Sequence, residues 1–244
     1  MQSNTYMPGY SAPVLAFMKQ RRADTHAAFF LPLLKAGFRV LDAGCGPGTI
    51  TLGLARQVAP GQVVGIDIED SQFGGAREEA TRELLNATFQ KASIYQLPYE
   101  DATFDAVFSH AVLQHLSDPF RALIELRRVL KPGGVVGIKA NDMGGILIDS
   151  ESDETVRALA SCISDRETDA GDPRIGRKLP RLLRQAGFKV EQISASYEVM
   201  DDLRYELVRA LVAQFSPSGS CSLQEKPDES LFAALPWCEV IGRA

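Results

Sequence analysis

The sequence predicts a doubly wound α/β domain, a mostly parallel sheet with helices on both faces. Three observations predict it: short apolar runs ending in turn residues, helical periodicity between those runs, and a glycine-rich turn after the first of them. "FRVLDAG" (38–44) is the first run and reads as a buried parallel strand. "TITLGLARQV" (49–58) follows, with Ile50, Leu54 and Val58 at helical spacing, and "APGQ" stops it. "VVGID" (63–67) is the second strand. "GGAREEATRELLN" (74–86) is a helix with Ala76, Ala80 and Leu84 on one face. "ATFQKA" and "FDAVFSH" are the third and fourth strands. The helix "DPFRALIELRRVLKPGG" turns Phe120, Leu123, Ile124 and Leu130 inward, and "VVGIKA" is the fifth strand.

Beyond residue 140 the alternation loosens. A helix is expected around "DETVRALASCIS" (153–164), and "KLPRLLRQAGF" (178–188) is amphipathic through Leu179, Leu182, Leu183 and Ala186, closed by Gly187. "KVEQISASYEV" is the sixth strand, "DDLRYELVRALVAQF" a further helix, and "PWCEVIGRA" the last strand. The division is one domain, 1–244: an N-terminal helical lid over 1–36, a ligand-binding core over 37–140, and substrate-side helices and last strands over 141–244.

Composition excludes several function classes. With 45% hydrophobic and 23% charged residues, the chain has the means to bury a core. A net charge of −5 without a basic run argues against a nucleic-acid partner. Its longest apolar patch, "AAFFLPLL", is far short of the ~20 residues that span a bilayer. Its opening residues lack the basic-then-apolar order of a secretion signal, so the expectation is a cytoplasmic protein. The four cysteines form no CxxC pair, so no metal site is expected.

The chemistry starts at "RVLDAGCGPGTI" (39–50). A dinucleotide fingerprint needs Gly-x-Gly-x-x-Gly, with a helix N-terminus aimed at a pyrophosphate. Here the third glycine, Gly48, arrives one residue early and Thr49 takes its place. Asp42, just before the turn, suits a cation better than a phosphate. Asp67 closes the second strand, where a carboxylate accepts both hydrogen bonds of a ribose diol. A ribose with a positive group and no phosphate describes S-adenosylmethionine. The competing readings are an NAD-type oxidoreductase, which the glycine spacing disfavours, and a non-catalytic protein that uses the same fold to bind S-adenosylmethionine.

"VLDAGCGPG", "VVGID", "LPYEDATFDAVFSHAVLQHL" and "RVLKPGG", in that order across 37–140, resemble the class I S-adenosylmethionine-dependent methyltransferases. Within them the likeness is greatest to the branch holding ubiquinone and menaquinone biosynthesis enzymes and many small-molecule methyltransferases. It implies a Rossmann-like, seven-stranded sheet whose last strand is antiparallel, with helical insertions after strands 5 and 6. The implied activity is methyl transfer to a small-molecule acceptor, with S-adenosylhomocysteine as product. Gly44, Cys45, Gly46 and Gly48 would admit the methionine portion and ribose, Cys45 through its backbone rather than its thiol. Asp42 would lie near the cationic amino group, and Asp67 would hold the ribose. Ile68 and Gln72 would stand by the adenine and the sugar. Ser93 and Ile94 match the position that reads the adenine edge, where the family most often has Asp. Tyr6 and Arg21 match positions that cover the cofactor. His110, closing the fourth strand, would sit beside the transferred methyl. His110 and His115 are the candidate general bases, while His26 reads as a surface histidine.

Overall fold

The computed structural model describes residues 12–153, 156–157, 171–201, 205–206 and 230–244. The first strands and helices alternate as β1 (Arg39–Ala43), α3 (Thr49–Val58), β2 (Gln62–Asp67), α4 (Gly74–Arg82), β3 (Ala87–Lys91), β4 (Phe104–His110), α5 (Pro119–Val129) and β5 (Leu130–Asn141). They are preceded by α1 (Ala12–Lys19) and α2 (Ala23–His26), and followed by β6 (Leu147–Asp149), α6 (Ile175–Gln185), β7 (Lys189–Val199) and β8 (Phe232–Arg243). β1 pairs in parallel with β2 on one side and β4 on the other. β3 extends the first side and β5 the second, also in parallel.

β8 runs antiparallel between β5 and β7. At 12 residues it outruns its pairing with β5, which stops at Asn141↔Trp237. The short β6 takes up the edge that remains, from Leu147↔Ala234 to Asp149↔Phe232. The sheet therefore has eight strands where seven are expected, because an unpaired strand edge leaves backbone donors and acceptors unmet. The helices expected after the fifth and sixth strands lie mostly outside the described residues. Asp153, Val156 and Arg157 of the first, and Tyr205 and Glu206 of the second, are helical.

Alternation along the strands divides the core between the two faces. Leu41, Ala43, Val107, Val136 and Ile138 pack with Leu123 and Leu126 of α5 and Leu179 and Leu183 of α6. Val40, Val63, Ala106, Phe108 and Val135 pack with Ile50 and Leu54 of α3 and with Ala23, Ala27, Phe30 and Leu34. Residues 23–34, grouped by the sequence with the lid, are thus built into the core, while Met18 and Arg21 stand over the carboxyl end of the sheet.

Two helix faces differ from expectation. α5 buries Ala122, Leu123, Leu126 and Val129, leaving Phe120 and Ile124 41% and 44% exposed. Its start is fixed by Asp118, which accepts the Arg121 amide as N-cap beside Pro119, and that start turns Phe120 and Ile124 outward. α4 stops at Arg82, and Leu84, at φ 55°, is 92% exposed.

The contact between the N-terminal segment and the sheet is tight. A Cβ at Gly137 of β5 would run into the buried Phe30 ring. Gly137→Ala should therefore destabilise the protein by about 1–3 kcal/mol in urea unfolding, the usual cost of overpacking. The double variant with Phe30→Leu should recover part of that loss. An unchanged midpoint in the single variant would mean that Phe30 does not hold the segment to β5.

Candidate active site

The chain runs outward from β1 to β2 and β3 and then crosses back to β4 on the other side of β1, and ligands of open α/β sheets bind where the strand order reverses in this way, outside the carboxyl ends of the strands. The turn after β1 is shaped for close approach. Gly44 has φ +82°, and a Cβ there would strike Val112. Gly48, at φ +81°, is the residue just before α3, and a Cβ would lie 2.5 Å from the Phe89 ring. The amides of Gly44 and Cys45 both donate to the Ile66 carbonyl, at 2.8 and 2.9 Å. The Gly46 amide donates to Asp67 Oδ2 at 2.9 Å, and the Glu69 amide to Oδ1 at 3.1 Å. An ionised carboxylate has about four lone-pair sites, so Asp67 can accept two more bonds.

Above this turn is an open cleft. Of the residues singled out from the sequence, Arg21, Gly44, Asp67, Ile68, Ser93, Ile94, His110 and His115 line it. Asp42, Cys45, Gly46, Gly48 and Gln72 do not appear on its wall. Tyr6 lies outside the described residues. Asp42 sits beneath the turn, 2% exposed, and accepts a 2.6 Å bond from Thr51 Oγ1 of α3. The amide of Gln72 is buried, with neither atom hydrogen-bonded. The arginine guanidinium of Arg21 lies over the Phe17 ring at 5.3 Å. His115, in the 3-10 turn Leu113–His115, is half-buried.

Burial sets the protonation of the acids and bases here. It raises the Asp42 carboxyl to about 7, against the opposing Thr51 bond and with help from the charge of Asp67. It also raises Asp67, where the amides of Gly46 and Glu69 pull the other way. The Cys45 thiol is pushed well above its usual range by burial and by the two aspartates, so it stays protonated and does not act as a nucleophile. Burial holds His110 well below an ordinary histidine, with the charges of Arg21, His26 and Lys139 acting in the same sense, so its ring is neutral at pH 7.

Several residues around His110 carry no sequence signal of a site. The His110 ring stacks on Trp237 at 5.0 Å and 22°, and His26 meets it edge-on at 5.2 Å. His26 is therefore half-buried, not on the surface, with Nε2 3.6 Å from Glu198. Both His110 ring nitrogens, Gln114 Oε1, Asn141 Oδ1 and Trp237 Nε1 are buried without a hydrogen-bond partner among the described residues. Such atoms are rare in folded proteins, and each costs about 1–3 kcal/mol when left unmet. Only strand pairing reveals this group, since Asn141 and Trp237 are far apart in sequence and opposite each other in the sheet.

Comparison with known proteins bears on the same region. Residues 41–138 match the family model described as a methyltransferase domain. An uncharacterized methyltransferase of Schizosaccharomyces pombe is 39% identical over 145 residues, 57% of this chain and 52% of that protein. The demethylmenaquinone methyltransferase of Staphylococcus aureus is 36% identical over 104 residues, 42% of this chain and 43% of that protein. The chain thus spans about half the length of the curated relatives it matches. A solved SAM-dependent methyltransferase from Aquifex aeolicus superposes with a TM-score of 0.57 at 19% identity, covering 96% of this chain and 99% of that one, which shows a shared fold.

The raised Asp42 gives a pH signature. An unfolded aspartate ionises near 3.8, whereas Asp42 in the fold ionises near 7. Between those values the unfolded chain has released a proton that the folded chain keeps, so this residue lowers stability as pH rises from about 4 to about 7 and adds no further change above. Asp42→Asn removes the titration. Its stability relative to the parent should therefore climb across that window by a few kcal/mol, at about 1.4 kcal/mol per pKa unit, then level off. Urea unfolding of both proteins at pH 5, 6, 7 and 8 checks this, and a constant difference would show that Asp42 is ionised throughout.

Proposed function

From the match of residues 41–138 to the methyltransferase domain model, we propose that this protein transfers a methyl group from S-adenosylmethionine to a small-molecule acceptor, at oxygen, nitrogen or carbon. The observation that carries the reading is Asp67, whose carboxylate ends β2 on the cleft wall, braced by two backbone amides and with acceptor capacity to spare.

The residues present fit that cofactor. Asp67 holds the ribose diol. Gly44, lacking the Cβ that would strike Val112, lets the methionine portion lie against the turn. Ile68 and Ile94 flank the adenine, and Ser93 accepts from its amino group, more weakly than a carboxylate would. Gln72, five residues beyond Asp67, is not on the cleft wall, so its buried amide adds nothing to this set. Arg21, which with Met18 lines the cleft, would pair with the cofactor's carboxylate. Bound there, S-adenosylmethionine supplies an electrophilic methyl on a sulfonium, itself a good leaving group. What remains for the protein is to align the acceptor and exclude water.

The two histidines divide the remaining work. Burial disfavours a charged His110, so its neutral ring positions the acceptor. His115, half-buried on the cleft wall, takes the acceptor's proton where one must leave.

Calorimetry should give binding of S-adenosylmethionine and S-adenosylhomocysteine and none of NAD; the reverse result would end the methyltransferase reading. Asp67→Ala should weaken S-adenosylhomocysteine at least about tenfold, since charge-assisted hydrogen bonds contribute about 1.5–3 kcal/mol each. Unchanged affinity would move the ribose away from β2. With an acceptor found by S-adenosylhomocysteine release, His115→Ala should lose about a hundredfold in turnover with cofactor affinity retained. A loss of only a few-fold would mean that the acceptor arrives without a proton to shed.

A further inference from the structure

The two helices that cover one face of the sheet carry a charge out of keeping with the rest of the chain. Residues 119–129, which are α5, and residues 174–185, which are Arg174 and α6, hold eight arginines and lysines, three on the first and five on the second. Against them stands one acid, Glu125, in a protein whose net charge is −5. On α6 the arginines are ordered. Arg174, Arg177, Arg181 and Arg184 are spaced three, four and three apart, so at 3.6 residues per turn they fall within an arc of about 80°. That arc is opposite Ile175, Leu179 and Leu183, which are buried, and all four arginines are exposed. Like charges at these spacings disfavour a helix, and cations at its start oppose its dipole, so the row does not serve the helix that bears it.

α5 lies alongside. Its Leu123 and Leu126 share a core with Leu179 and Leu183, so the outer sides of both helices turn to solvent together. Arg127 Nε donates to the Gly187 carbonyl at 3.1 Å, which joins the end of α5 to the residues after α6. On the outer side of α5, Phe120 and Ile124 are 41% and 44% exposed, with the exposed Arg121 and Arg127 beside them. Acids at the border engage three of the cations: Asp142 holds Arg177, Asp172 holds Lys178, and Glu125 and Asp101 hold Arg128. Arg121, Arg127, Arg181 and Arg184 form no ion pair among the described residues. Arg121 lies instead over the Tyr95 ring at 5.5 Å, and Tyr95 lines the cleft, so this face reaches the cleft rim.

We propose that the outer face of α5 and α6 docks on an anionic lipid surface, with the arginines at the phosphate headgroups and Phe120 and Ile124 entering the boundary of the acyl chains. Guanidinium groups meet phosphate oxygens in pairs, and a bilayer offers phosphate and apolar material at adjoining depths. A polynucleotide would match the arginines but leave Ile124 against sugar and phosphate. An acidic protein would have to supply a hollow for each apolar side chain. No helix among the described residues is long and apolar enough to cross a membrane, so the contact is peripheral. It does not depend on the methyltransferase reading.

The test is flotation of the whole protein with vesicles of phosphatidylcholine alone or mixed in about equal parts with phosphatidylglycerol. Binding to the anionic vesicles should be at least about tenfold stronger, and should fall steeply when salt is raised from about 0.1 to about 0.5 M, as screening requires. A cation near an anionic surface contributes about a factor of five, so Arg181→Gln with Arg184→Gln should weaken binding at least about tenfold. Phe120→Ser with Ile124→Ser should weaken it about tenfold as well. Lys35→Gln with Arg82→Gln, an equal loss of charge away from these helices, should change it less than about twofold. S-adenosylhomocysteine affinity should stay at the parent value in all three. The inference is overturned if the protein binds neither vesicle, if it binds both equally, or if the control pair weakens binding as much as the arginine pair. It is also overturned if single-stranded RNA or polyglutamate binds through these arginines and the anionic vesicles do not. The vesicle and salt comparisons stand on the unmodified protein should a variant fail to fold.

Discussion

The hydrogen bond from the Gly46 amide to Asp67 Oδ2 holds the functional end of the sheet together. It ties the turn after β1 to the tip of β2, beside the two bonds that Gly44 and Cys45 make to the Ile66 carbonyl. The turn can come so close only because Gly44 and Gly48 adopt positive φ and have no Cβ to collide with Val112 and Phe89. The same bond fixes the direction of the Asp67 carboxylate, spending one acceptor position on the fold and leaving others for a ligand. Shape and chemistry of the cleft floor therefore share one set of contacts.

Burial then sorts the polar groups by role. Asp42 is hidden beneath the turn and bonded to Thr51, so it joins β1 to α3 and keeps its proton to about pH 7. Lys139 with Glu239, and Asp142 with Arg177, cancel their charges inside the fold. His110, Gln114, Asn141 and Trp237 are left with hydrogen-bonding capacity that the fold does not use. The cleft itself offers the braced Asp67 carboxylate.

Much of this was legible in the sequence where chemistry depends on neighbours along the chain. The glycine turn, the acid at the end of the second strand and the histidine at the end of the fourth are local signals, and Gly44, Asp67 and His110 all reach the cleft. Ser93, Ile94 and His115 reach it as well, carried there by the strand order. Helix faces were harder to read. Phe120 and Ile124 share the apolar character of Leu123 and Leu126, but the Asp118 cap sets the phase that turns them to solvent. His26 looked like a surface residue because nothing near it in sequence shows that it packs on His110.

What the sequence determined by itself is the parallel α/β core and the cofactor turn, since strand and helix periods and glycine positions act over a few residues. Tertiary structure decided the rest. The antiparallel insertion of β8 brings Trp237 opposite Asn141 and stacks it on His110. It also extends past β5 and so recruits β6 as an eighth strand. Pairings between residues almost a hundred positions apart follow from which strand edges remain open once the core has formed, and no local pattern encodes that choice.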